Sequence, residues 1–564
     1  MRREGRSGKG LDGWSPGGRG VPWALRVGVA LGAVLSPGYI HPDEHFQSPE
    51  VAAGDVFHFS GLHRAWEFRA GPGGHPYAPA RSAVSHVVSS GIPLWGLRAV
   101  AGPRPPAWAL LAAPRLWMAA LWAVAVEPAA ARLVARMGGG AGAAHRAAYL
   151  LATSWTAILA ARPLSNGLEA VAVAVLISLA LAAERGRDAG VRGAVALAFG
   201  AVTAVAAFVR FTALLYAAPL GGLVLHGALR RQREGKRQPG WGVLAAAAAV
   251  LAPAVTGFAG ACLACMAADA AYFGTPFPTV APWNALRYNA RPENLADHGI
   301  HPRATHVLVN SAVLLGPLGV LAVWAAAASA LGGLRWLAAG PGRRGLALAW
   351  NASPREAATA AVVGCVALPL AALSAAPHQE PRFLLPMVMP VVALLSVHAD
   401  TLWRDASPGA RVAVGLLRSR ALWLAFNVGC AAFWGGMHQA GVVRALLHVQ
   451  ARELGAAPAT SLLFYRTYMP PRFLLALPEG QTAVTVTDLA GAGGAPLAAE
   501  FLRRAAAEAP GAQVLVVAPA SVSEDLPCEL REVKRHWPHF SGEDPPASPS
   551  DLALVLYRLH GACA

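Results

Sequence analysis

Charge is the scarce ingredient of this chain. Asp, Glu, Lys and Arg make up 14% of its 564 residues, against about a quarter in soluble domains, and that shortage excludes an ordinary soluble enzyme. Acidic residues are the scarcer half, 31 against 47 Lys and Arg. Cysteine is sparse too, with six in all. The pair in Cys262-Leu-Ala-Cys265 falls inside an apolar run and reads as helix packing rather than a redox or metal motif. Cys528 and Cys563 both lie in the C-terminal tail, where a disulfide is chemically allowed in a secretory compartment. A Walker loop is missing, so nucleotide-driven transport has no anchor. His41 and His45 stand at i, i+4 spacing, but no third ligand follows at a telling distance, and neither metal nor cofactor is expected.

What the chain does have is grease: 55% hydrophobic residues, gathered into runs of about 20 that are each long enough to cross the hydrocarbon core. A polytopic α-helical membrane protein with about eleven transmembrane helices is expected. The spans fall at about 21–38, 107–126, 145–161, 168–183, 193–209, 211–228 and 241–267, then one before Arg335, two flanking "PHQEPRF", and one at about 421–437. The net charge of +16 does not point to nucleic acid, because the arginines cluster between apolar runs, as in "RRQREGKR" from Arg230, and short basic loops mark the cytoplasmic side. That bias places the N-terminus in the cytosol and the long 39–105 loop on the far side. The basic start could precede a cleaved signal peptide, but no convincing cleavage site follows, and a retained first helix is the expectation. The organisation read from this is a disordered basic N-terminus at 1–20, a membrane region at 21–438 and a tail at 439–564 on the far side. In that tail "QTAVTVTDL" and "QVLVVAP" read as buried strands around a helix, a small α/β region. The sequon at Asn351 falls on the cytosolic side and is expected to stay unglycosylated.

The polar clusters all land on the non-cytosolic side: "HPDEHFQ" from His41, "AWEF" with Trp66 and Glu67, "ARS" from Ala80, "RPLSN" from Arg162 to Asn166, Arg210, "DAAYFGTP" from Asp269 and "PHQEPRF" with His378, Glu380 and Arg382. Ionisable groups at membrane depth are costly and mark sites, so their convergence suggests one cavity. Asp43 and Glu44 are adjacent, so on a helix they point about 100° apart and cannot both face it. One of them can serve as a base; the bland alternative is that Asp43 only caps the helix that follows. Arg162, Arg210 and Arg382 sit at span ends, where snorkelling competes with binding of a phosphate by an arginine fork. Asn166 and Glu169, one turn apart, suit either a site or an inter-helix hydrogen-bonding pair.

"HPDEHFQ", "WEF", "RPLSN..E", "D...FG" and "PHQEPRFLLP" together resemble glycosyltransferase family 22, from about Gly38 to Leu385. Further on, "MHQAGVV", "LFYRTYMPPRFLL" and "HWPHFSGEDPP" look most like the members that add a fourth, α1,2-linked mannose to a GPI-anchor precursor. Siblings acting on another GPI or N-glycan acceptor share the first motif, and a transporter or scramblase is the reading from a different class. The resemblance implies a GT-C-like helix bundle in the endoplasmic reticulum membrane, with dolichyl phosphate mannose as donor, a GPI-precursor glycolipid as acceptor, and lipid around it. The resemblance supports this neighbourhood; within it Asp43 is read as the base with Glu44 as rival, and His41, Trp66, Glu67, Arg162, Asn166, Arg210, His378, Glu380 and Arg382 as substrate contacts.

Overall fold

The computed structural model describes residues 23–322 and 352–563, apart from 72, 187, 235–240, 297, 406–410, 412–414, 416–418, 490–493, 509–510 and 527. The N-terminus at 1–20 and the sequon at Asn351 lie outside the described residues. Among those described, seven helices are long and apolar enough to cross a membrane: Ala107–Arg136, Ser165–Arg185, Ala189–Val209, Phe211–Glu234, Trp241–Phe273, Pro354–Ala375 and Pro381–His398. Each coincides with an expected span. Alanine-rich sequence drives them, since alanine loses the least on entering a helix, and polar caps set some of their ends. Asp188 accepts from the backbone N–H of Val191 at 3.0 Å, and Ser353 and Glu356 form a reciprocal capping box.

The other expected spans are shorter or broken. The first is only Trp23–Leu35. The third splits into Ala141–Thr153 and Thr156–Ala161, and the break is stabilised by Asn427, whose side-chain oxygen accepts from the Trp155 N–H at 2.8 Å. The eighth begins at His306–Leu315, and the last runs from Arg420 through Met437. Tight crossings come from small residues, as is usual between membrane helices. A Cβ on Gly200 would lie 1.8 Å from the Ala254 carbonyl, and one on Gly257 would lie 2.0 Å from that of Leu197; only glycine lets Ala189–Val209 and Trp241–Phe273 approach so closely.

The first long loop folds into short helices. Asp43–Phe46 and Pro49–Phe57 are separate, because proline at the start of the second cannot continue the first. Asp43 is not a cap: Pro42 holds that position and no side chain caps the helix. On Ile92–Ala101, Leu94 is buried while Trp95 and Val100 are exposed, an amphipathic face suited to a membrane surface.

The tail holds a five-stranded sheet of order β2-β1-β3-β5-β4, with β1 at Thr460–Phe464, β2 at Val484–Asp488, β3 at Gln513–Pro519, β4 at Cys528–His536 and β5 at Leu554–Cys563. Strands β2, β1 and β3 are parallel, and β5 and β4 add antiparallel. The expected strands correspond to β2 and β3, with helix Gly494–Glu508 between them. Strand β4, "CELREVKRH", lacks an apolar run because it is an edge, and charged edges block further pairing. Cys528 is disulfide-bonded, and the register sets it opposite Cys563; Cys262 and Cys265 are free thiols. Backbone bonds tie the sheet region to the end of the last span, Gln439 N–H to Phe540 O and Phe540 N–H to Met437 O, each at 2.9 Å, and that end to the first loop, Tyr39 N–H to His438 O at 2.9 Å.

Candidate active site

One cavity of about 660 Å³ opens beneath the first loop. Its wall carries His41, Asp43, Trp66, Glu67, Arg210, His378, Glu380 and Arg382, which approach from four separate stretches of sequence. Arg382, just after the turn that starts helix Pro381–His398, is the hub. Its guanidinium is ion-paired to Asp43 through Nη1 and to Glu380 through Nε. His378 Nε2 lies 2.7 Å from Glu380 Oε1, and His378 Nδ1 lies 3.0 Å from the Gly299 carbonyl. With an acceptor on each nitrogen, the imidazolium form is favoured, and the bond to Glu380 lifts the His378 pKa above its ordinary value. His41 closes the ring, its Nε2 3.6 Å from Glu380 and its Nδ1 accepting from the Asp43 N–H at 3.1 Å. Burial pushes the Asp43 carboxyl up, but Arg382, His41 and Arg81 outweigh it and hold the group below the usual carboxylate range. Burial acts on Glu380 in the same sense, and Arg382 and His378 overcome it by far.

A second cationic group faces the first. Arg210 pairs with Glu169 at 3.2 Å, and Thr212 donates to the other oxygen of Glu169 at 2.6 Å. Arg210 and Arg382 each stand 5.4 Å from the Phe383 ring, so one ring contacts both guanidiniums. Arg81, from the "ARS" stretch, also lines the cavity. It donates to Ser165 Oγ at 3.1 Å, as Arg210 does at the same distance. Two like charges on one hydroxyl, with Arg81 in no ion pair among the described residues, make a place where an anion is favoured.

Three expected site residues are elsewhere. Glu44 is fully buried behind the cavity, with Arg162 at 3.2 Å, Arg115 at 3.8 Å and His45 at 3.2 Å. Burial raises its pKa, yet Arg162, His45 and Arg115 bring it down to about 2. Arg162 is likewise fully buried and donates to Ser36 Oγ and Gly38 O, each at 2.9 Å. It clamps the chain entering the first loop instead of facing a ligand. Asn166 is fully buried and off the cavity wall. The reason is helical phase: Glu44 follows Asp43 by one residue and turns away, and Asn166 follows Ser165, whose hydroxyl faces Arg81 and Arg210.

The sequence reading missed Arg81, Gln47, Tyr288 and His298 on the wall. Arg81 and Gln47 had a signal, lying in polar stretches already picked out; Tyr288, in helix Ala281–Asn289, and His298 lay in no such stretch.

With this geometry in view, comparison with known proteins is informative. Residues 23–471 match the model of the Alg9-like mannosyltransferase family. GPI alpha-1,2-mannosyltransferase 4 of Homo sapiens is 32% identical over 94% of this chain and 91% of its own. GPI mannosyltransferase 4 of Eremothecium gossypii is 32% identical over 80% of this chain and 76% of its own. In fold, the chain is similar to ArnT from Cupriavidus metallidurans bound to undecaprenyl phosphate, with a TM-score of 0.52 at 13% identity over 95% of this chain and 97% of that one. That likeness shows a shared, mostly helical fold. From motif, match length and fold together, the chain belongs to the Alg9-like mannosyltransferase family.

Proposed function

We propose that this enzyme transfers mannose from dolichyl phosphate mannose to the third mannose of a GPI-anchor precursor, forming an α1,2 linkage on the lumenal side of the endoplasmic reticulum membrane, with its N-terminus in the cytosol. The observation that carries the reading is Asp43 on the cavity wall, ion-paired to Arg382. The names of the relatives support the acceptor and the linkage. The arginine bias between spans supports the orientation. Part of the wall is hydrocarbon, from Phe208, Val209, Leu214, Leu215 and Leu373, and Leu214 is 44% exposed; such a surface suits a lipid chain entering from the bilayer.

A β-linked lipid phosphate donor and an α-linked product require one inverting displacement. The acceptor hydroxyl oxygen bonds to C1 of mannose, and the bond from C1 to the phosphate oxygen breaks. The hydroxyl proton passes to Asp43, and the lipid phosphate leaves with the bonding pair, its charge held by Arg382, Arg210 and Arg81. In the free enzyme Arg382 keeps Asp43 ionised but weakly basic. When a phosphate competes for Arg382, the restraint on Asp43 relaxes, burial dominates, and its affinity for a proton rises. Donor binding thereby readies the base. Glu380 stays ionised and orients Arg382 and His378.

The test is to express the chain in cells that lack fourth-mannose activity and weigh their GPI precursors. Four-mannose species are expected with the wild type and not with Asp43→Asn at equal protein level. Well-expressed wild type that adds no fourth mannose would move the acceptor to a sibling glycolipid.

A further inference from the structure

Part of the cavity wall is neither ionic nor greasy. Trp66, Tyr288 and His298 line it, brought together from the first long loop and from the segment after helix Trp241–Phe273. The Trp66 and Tyr288 rings stand 4.6 Å apart, and the Tyr288 hydroxyl lies 2.8 Å from His298 Nε2. The His298 ring is 5.8 Å from that of His378, which contacts Glu380 at 2.7 Å. A continuous strip of rings therefore runs from Trp66 to the ion cluster around Arg382 and Asp43.

Packing alone does not account for the strip. Behind it, Tyr77 is buried, 5.7 Å from the Tyr288 ring and with Arg287 and Arg291 over its face. His75 backs Trp66 at 4.2 Å. Those two rings join the loops and are off the cavity wall, whereas Trp66, Tyr288 and His298 are on it, and His298 is exposed. Beside them on the wall stand Gln47, Glu67 and Asn289. Ring surfaces with hydrogen-bonding side chains beside them on the same wall match one class of ligand, a sugar, whose C–H faces stack on rings while its hydroxyls need hydrogen bonds. A lipid tail would have no use for the polar groups, and a phosphate none for the rings.

We propose that Trp66, Tyr288 and His298 form a stacking subsite for the acceptor glycan beyond the mannose under attack, so that the enzyme reads acceptor length. This rests on the reading of the chain as a mannosyltransferase with a mannose-terminated glycolipid acceptor. The test uses the full chain in lipid nanodiscs, dolichyl phosphate mannose, and two acceptors that end in the same sugar, an octyl mannoside and an octyl trimannoside. Wild type is expected to favour the trimannoside in kcat/KM. Tyr288→Ala and His298→Ala should each cut that preference ten-fold or more through the KM for the trimannoside, with the donor KM unmoved, and Tyr288→Phe should keep the preference. An undiminished preference in the alanine variants would overturn the subsite while leaving the transferase reading intact. A shift in donor KM would overturn it too, as the marker of a general disturbance of the cavity. Wild type that transfers to neither acceptor would instead sink the functional reading, and the subsite with it.

Discussion

The wall around Asp43 and the buried knot around Glu44 are neighbours in sequence and opposites in physics. Each holds a carboxylate against arginine, and in each the arginines outweigh burial to keep the acid ionised. Around Asp43 the partners, Arg382, His41 and Glu380, all face the cavity. Around Glu44 the partners, Arg162 and Arg115, are fully buried and bind the backbone of 34–38. An ion pair on a cavity wall can be exchanged for a ligand, while a sealed one only fixes the chain. The same residue types thus line a cavity on one side of a helical turn and fix the scaffold on the other.

The comparison breaks most sharply by mutation. Asp43→Asn should lower transfer by about 10²–10⁴-fold, the usual worth of a positioned base, with yield and thermal unfolding in detergent near those of the wild type. Glu44→Gln should do the reverse. It leaves Arg162 and Arg115 buried without their counter-charge, a loss of about 3–5 kcal/mol, visible as a lower unfolding midpoint and poor yield, while activity per folded molecule falls far less than in Asp43→Asn. The opposite pattern would return the base to Glu44.

A pH profile sharpens the contrast further. Because the Asp43 pKa is depressed in the free enzyme, its ionised form persists there as pH falls, and the wild-type kcat/KM for the donor should show no acid limb from this group above about pH 5. In Arg382→Gln the cation is lost and burial remains, so the limb in the residual activity should move up by about 1–3 pH units. An unmoved limb would mean that Asp43 is not the titrating base.

Glu50 supplies the mildest test, because it is a third carboxylate in this loop and its oxygens are held by backbone N–H groups, those of His63 at 3.0 Å and Phe473 at 3.1 Å. Burial pushes it up to about 7 despite those bonds. An acid whose folded pKa is raised adds stability at low pH that is lost as pH rises through the folded value. Stability should therefore decline between about pH 4.5 and 7.5, by an amount on the order of 3 kcal/mol, read as a falling unfolding midpoint, and Glu50→Gln should flatten that decline. A slope unchanged in Glu50→Gln would assign it to another group.

Much of the architecture was legible in the sequence because membranes impose lengths. A run of about 20 apolar residues has few alternatives to a spanning helix, and the seven long helices fall where those runs do. The broken third span was not legible, because its break at Ser154 depends on an acceptor supplied by Asn427, 272 residues away. In the tail, β3 announced itself by its apolar run and β2 by alternation, although β2 is an edge and is only partly buried, not the buried strand expected; β4 did not, since charge runs along its edge.

The sequence by itself determined that the protein lives in a bilayer and which polar stretches the bilayer cannot account for, because hydrophobic length and the cost of buried charge act locally along a chain. It did not determine which of two adjacent carboxylates meets the cavity, or that Arg382 reaches Asp43 across 339 residues, or that Tyr288 and Trp66 share a wall. Those were decided by packing: one residue of helical phase separates the wall from the core, and only the assembled bundle says which way each turn faces.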